Sequence, residues 1–136
     1  MTKILIIDDE RSICETLEMF LREKGYEVDT SASGEAGLEF IRKDQPDIVI
    51  LDLRLPGIDG LEVLRISKQL SPRSMVILTT AYHDEKIYDR AESLGACGYM
   101  VKPIDVAEFE AVIDKAARSH RNGHQGKAGT VKTSHN

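Results

Sequence analysis

The chain has 136 residues, a formal net charge of −5, 41% hydrophobic and 30% charged residues, two cysteines and no tryptophan. That length supplies one core and no second domain, and the balance excludes wholesale disorder. Arg121, Lys127 and Lys132 are the only charges in 119–136, which leaves 15 basic and 23 acidic residues in 1–118, a net of −8 that argues against direct nucleic-acid binding by this chain.

Ile4–Ile7 is an isoleucine-rich apolar run and a candidate buried strand. Ile13, Leu17, Phe20 and Leu21 then recur at helical spacing, and Gly25 ends that helix. Tyr26–Ser31 alternates weakly and reads as a second strand. Ser33 can cap a helix over about 34–44, with Leu38 and Ile41 facing inward and Gly37 a weak point. Ile48–Leu51 is the strongest buried-strand signal. Pro56-Gly57 and Asp59-Gly60 mark a loop, and Asp59 with Glu62 makes a capping-box-like start for a helix over about 60–70. Met75–Leu78 is a fourth strand. Ile87, Ala91 and Leu94 give a short helix closed by Gly95. Tyr99–Val101 is a fifth strand before Pro103. Asp105 and Glu108 open a last helix, with Phe109, Val112, Ile113 and Ala116 on one face.

Five strands, each followed by a helix, form a βα repeat. It predicts an α/β fold, a parallel sheet with helices on both faces, because parallel crossovers need a helix and are right-handed. The periodicity stops after Ala117. A domain over 1–118 and a disordered tail or linker start over 119–136 are therefore expected. No run approaches the roughly 18 apolar residues of a membrane helix. The four before Asp8 fall short of a signal-peptide core of about 7–15, so a cytoplasmic location is expected. Cys14 and Cys97 are too few for a disulfide framework and read as reduced, half-buried thiols.

Ligands of open α/β sheets bind outside the carboxyl ends of the strands. Asp8, Asp9 and Glu10 follow the first strand, Asp52 the third, Thr79-Thr80-Ala81 ends the fourth and Lys102-Pro103 the fifth. Carboxylates meeting in a cleft repel unless a cation joins them, and oxygen ligands with room for water suit Mg²⁺. Mg²⁺, Lys102 and the Thr80 hydroxyl would together suit three phosphoryl oxygens, with a remaining Asp as nucleophile.

These residues, in this order and at these strand ends, resemble the receiver domain of bacterial two-component response regulators. The resemblance covers residues 3 to about 118. It rests on Asp8-Asp9-Glu10, Asp52-Leu53-Arg54-Leu55-Pro56-Gly57, Thr80-Ala81 and Lys102-Pro103. It implies a flavodoxin-like, doubly wound five-stranded parallel sheet of order 2-1-3-4-5 with five helices. It implies a self-phosphorylating and self-dephosphorylating switch rather than a turnover enzyme, fed by a sensor histidine kinase. Asp52 would be the phosphoacceptor. Asp9 would ligate Mg²⁺ directly, Asp8 largely through water, with Asp52 and the backbone carbonyl of Arg54 as further ligands. Thr80 and Lys102 would hold the phosphoryl group, and Tyr99 would be the switch aromatic that turns inward as Thr80 moves. The Lys102–Pro103 bond would be cis. Ile87, Tyr88, Tyr99 and the last helix near Phe109 would frame the partner surface, for a downstream protein effector or a fused output domain. The chain would be a monomer or a phosphorylation-dependent dimer.

Other readings of the same residues fit less well. An aspartate-nucleophile phosphatase of the haloacid dehalogenase type needs a second Asp two residues after the nucleophile, where this chain has Arg54. A nucleotide or flavin binder would show a glycine-rich phosphate loop, and none is present. A phosphorylation-independent interaction module leaves the full residue set unexplained. His120, His124 and His135 fit no metal spacing and are expected to be solvated, as is the loop residue His83. Tyr82, two positions after Thr80, is expected at the cleft mouth.

Overall fold

The computed structural model describes residues 1–122 and, as backbone, 131–133. Eleven elements alternate along the chain: β1 (Lys3–Ile7), α1 (Arg11–Glu23), β2 (Glu27–Ser31), α2 (Gly34–Asp44), β3 (Ile48–Asp52), α3 (Gly60–Leu70), β4 (Met75–Thr80), α4 (Glu85–Ser93), β5 (Gly98–Val101), α5 (Val106–Arg121) and β6 (Val131–Thr133). Strands β1 to β5 lie in the order 2-1-3-4-5, every pair parallel.

The apolar runs are unbroken because both faces of the central strands are covered. Leu5, Ile7, Val49, Leu51, Val76 and Leu78 point to one side, against Ile41 of α2, Val63 and Leu64 of α3, and Ala91 of α4. Ile4, Ile6, Ile48, Ile50, Met75 and Ile77 point to the other, against Leu17 and Leu21 of α1 and Phe109, Val112 and Ile113 of α5. Each such side chain withdrawn from water contributes roughly 1.5–3 kcal/mol. Gly37 is no weakness in this packing: a Cβ there would meet the Ile7 side chain at 2.4 Å, so the glycine lets α2 approach β1.

Side-chain caps start four helices. Ser33 accepts from the Ala36 N–H, and Asp59 from Leu61. Asp105 accepts from Ala107 and Glu108, and Asp84 from Lys86 and Ile87. The expected capping box at Asp59 is only half present, since the Glu62 carboxylate grips Arg65 at 2.8 and 2.6 Å.

The structure departs from expectation after residue 118. The last helix runs on to Arg121, so 119–121 are helical. There His120, expected to be solvated, places Nε2 3.3 Å from Asp47 Oδ1 and ties the end of α5 to the start of β3. Residues 131–133 form a sixth strand, parallel to β5. The rest of the expected tail, with His124 and His135, lies outside the described residues. Cys14 and Cys97 are free and more deeply buried than expected, while Phe109, on the apolar face expected for α5, packs 5.9 Å from the Phe20 ring inside the core.

Candidate functional site

The register of the sheet assembles the site. Asp52 is the last residue of β3 and pairs across with Thr79, while Thr80 pairs with Val101, immediately before Lys102. Asp8 follows β1 and is held there by its own N–H donating to Ser31 O. The Lys102 N–H donates to Thr80 O at 2.7 Å, and the Lys102–Pro103 bond is cis, as the family pattern implies. Beneath the β3 exit, Gly60 N–H reaches Leu53 O at 3.2 Å. A Cβ on Gly60 would stand 2.4 Å from that oxygen, so only glycine lets α3 begin so close.

At the centre is a buried triad. The Lys102 ammonium donates to Asp8 Oδ2 at 3.1 Å and to Asp52 Oδ2 at 3.3 Å, with Glu10 Oε1 at 3.6 Å. Asp8 is 4% exposed and Asp52 5%. Each carboxylate keeps a backbone donor on its other oxygen: Glu10 N–H for Asp8, and Arg54 N–H for Asp52. Burial pushes the Asp52 carboxyl above its usual range and the charge of Asp8 pushes it further; Lys102 and the Arg54 N–H oppose both. Burial acts to lower the Lys102 pKa, but the Asp8 hydrogen bond and the two carboxylate charges outweigh it, and the net shift is upward. Cys14, which donates to Asp8 O, is driven up to about 11 by burial and by Asp8.

The expected residues do not all converge. Asp8, Asp52 and Lys102 do. Carboxylate oxygens of Asp8, Glu10 and Asp52 lie within 4.8 Å of one another, the one such grouping with metal-ligand chemistry among the described residues. Asp9 is exposed and lines a neighbouring open cleft with Arg54, Pro56 and Asp59. Glu10, legible only as a third acid in the motif, is itself exposed and reaches Lys102 from the rim at 3.6 Å. Thr80 is buried, and its hydroxyl is engaged locally, donating to Tyr82 O at 3.1 Å. Tyr82 is 71% exposed at the mouth, with the Arg54 guanidinium 5.8 Å from its ring centre.

Tyr99 is fully buried. Its hydroxyl accepts the Asp84 N–H at 3.4 Å, and its ring meets those of Tyr88 and His83 edge to face at 5.2 and 5.7 Å. His83 also pairs with Glu85 at 3.1 Å.

Comparison with known proteins settles the family. Residues 4–114 match the response regulator receiver domain. The chain belongs to that family. The receiver is 34% identical over 113 residues to the sporulation initiation phosphotransferase F of Bacillus subtilis, covering 83% of this chain and 91% of that protein. It is 38% identical over 118 residues to the transcriptional regulatory protein AfsQ1 of Streptomyces coelicolor, covering 87% of this chain but only 52% of the relative, so it spans about half of that longer protein. Its fold matches the crystal structure of a CheY-like receiver domain protein from Methanospirillum hungatei with a TM-score of 0.87 and 26% identity, over 90% of this chain and 98% of the other. The expected fold is thus confirmed. Receivers are the phosphoacceptor switches of two-component systems, and the acidic cluster is consistent with their phosphorylation site. Among the described residues no helix is long and apolar enough to cross a membrane.

Proposed function

We propose that Asp52 accepts a phosphoryl group from a phosphohistidine on a sensor histidine kinase. The observation that carries this reading is the placement of Asp52. It is a buried carboxylate at a strand end, with an ammonium 3.3 Å away and a second acid on the same ammonium.

A hard divalent cation fits the donor set, since Asp8, Glu10 and Asp52 offer three carboxylate oxygens on one small patch. We assign Mg²⁺ to Asp9, Asp52 and the Arg54 carbonyl, with Asp8 acting largely through water and Glu10 at the rim. When bound, Mg²⁺ would neutralise charge that builds on the phosphoryl oxygens.

The chain's own residues do the rest. An Asp52 oxygen attacks phosphorus as the phosphorus–nitrogen bond of the donor breaks; the imidazole leaves with the electron pair, and an acyl phosphate forms. Lys102, already between Asp8 and Asp52, needs only a small swing to pair with the new oxygens. Thr80 must surrender its bond to Tyr82 O to donate to the phosphoryl group, which links phosphorylation to the loop before α4. Tyr99 stands under that loop and is read as the switch residue, with α4, β5 and α5 as the partner face. Water later cleaves the acyl phosphate, so the receiver acts on itself and is not a turnover enzyme. The receiver domain occupies 1–118, α5 projects three residues beyond it, and the segment after α5 is read as a tail or the start of a linker. A downstream protein or a fused output domain receives the signal, in the cytoplasm.

The test is incubation with a small phosphodonor and Mg²⁺, followed by intact mass. One phosphoryl addition that requires Mg²⁺ and is lost in Asp52→Ala is expected. Equal incorporation in Asp52→Ala would remove Asp52 from the role.

A further inference from the structure

We propose that His83 is a positioning residue for Tyr99: its ring roofs the tyrosine and holds it inward without help from Thr80. The family resemblance implies an aromatic ring that turns inward as Thr80 moves. Here the two residues are out of step. Tyr99 is fully buried. Yet the Thr80 hydroxyl is engaged in its own loop, donating to Tyr82 O and accepting the Tyr82 N–H. Something other than Thr80 keeps the ring in place.

The surroundings of the ring identify it. Tyr99 stands opposite Leu78 of β4, in the layer covered by α3 and α4. A buried phenol needs a partner for its hydroxyl, and the Asp84 N–H supplies one at 3.4 Å. Tyr88, carried by α4, meets the ring edge to face at 5.2 Å and 89°. His83, carried by the loop before α4, meets it at 5.7 Å and 82° and also reaches Tyr88 at 6.4 Å. Three rings thus touch in pairs, in the tilted geometry that their quadrupoles favour.

His83 differs from its neighbours on the loop. Ala81, Tyr82 and Asp84 are exposed, whereas the His83 side chain is only 29% exposed. Its Nε2 pairs with Glu85 at 3.1 Å, which pins the imidazole to the first turn of α4 and over the tyrosine. The Tyr99 ring can swing outward only when this roof lifts, so the side chain at position 83 sets how much of the population holds Tyr99 inside. The effect on a partner rests on the proposed switch role of Tyr99; the roof itself does not.

Tyrosine nitration by tetranitromethane, read site by site by peptide mass mapping, tests this on the full chain. No phosphoryl group is present, so its failure is distinct from failure of the phosphoacceptor reading. Wild-type Tyr99 should react at least about tenfold more slowly than the exposed Tyr82. In His83→Ala the Tyr99 rate should rise about two- to tenfold, the range that one aromatic contact carries. Tyr26, bonded to Asp114 in the opposite layer, should keep its rate. His83→Phe retains a ring over Tyr99 and should restore the wild-type rate, which a loop merely loosened by substitution would not. An unchanged Tyr99 rate in His83→Ala, equal rises in the Ala and Phe variants, a rise shared by Tyr26, or a wild-type Tyr99 as reactive as Tyr82 would each overturn the proposal.

Discussion

Lys102→Ala isolates the electrostatics of the site. In the wild type, one ammonium faces two buried carboxylates at 3.1 and 3.3 Å. At an effective dielectric of about 20, each contact is worth about 5 kcal/mol of gross attraction. Recovering the hydration of the lysine, which is only 15% exposed, returns several kcal/mol, and a net loss of about 3 kcal/mol is expected in metal-free buffer. Asp52 can escape part of this cost by taking up a proton. Its pKa is already raised, so the escape fades as pH rises through that raised value, and the deficit should deepen from acid toward neutral pH. Mg²⁺ held at the proposed site would compete with the ammonium for the same oxygens. It should therefore stabilise Lys102→Ala more than the wild type and narrow the gap to about 1 kcal/mol at saturation. Urea denaturation in EDTA and in Mg²⁺, at several pH values, measures all three quantities. A deficit below about 1 kcal/mol in EDTA, or one that Mg²⁺ leaves unchanged, refutes the reasoning.

The same geometry sets the outcome of other substitutions. Asp52→Asn removes a charge that burial and Asp8 disfavour, so without metal it should be more stable than wild type at pH 7 by about 1 kcal/mol. Because the folded pKa is raised, that advantage should vanish as pH falls below the unfolded value near 3.8, which a pH series of melting temperatures checks. Gly60→Ala must displace Leu53 O and should cost about 1–3 kcal/mol, read as a lower urea midpoint at constant m-value. Phe109→Ala should cost about 3–5 kcal/mol in the same assay, since the ring is buried against Phe20. Asp84→Ala removes the cap of α4 and should cost about 1 kcal/mol, with faster amide exchange in the first turn of α4.

Much of this was legible in the residues. Parallel strands buried on both faces read as runs such as Ile48–Leu51, and strand ends are where such sheets place chemistry. Asp8, Asp52, Thr80 and Lys102 could therefore be found by counting from the apolar runs. What stayed hidden depends on single rotamers and long-range contacts. That Glu10 rather than Asp9 reaches toward Lys102 is a matter of side-chain conformation. The partner of His120 is Asp47, 73 positions earlier in the chain, and no local pattern announces it. Asp84 was missed because Ile87, not Glu or Gln, stands three residues on, so no capping box marks the start of α4. The strand Val131–Thr133 is too short for an apolar run or alternation to announce it.

The division of the core into two layers has a directional consequence. Tyr99 belongs to the layer shared with α2, α3 and α4, whereas α1 and α5 pack on the opposite side of the sheet. The sheet is thus a partition between them. A movement of the Tyr99 ring would meet the Tyr88 ring directly and the rest of that layer next, and would reach Leu17 or Phe109 only through the strands. On the proposed switch role of Tyr99, its effect would fall first on the α4 flank, and any change in α5 would have to cross the sheet.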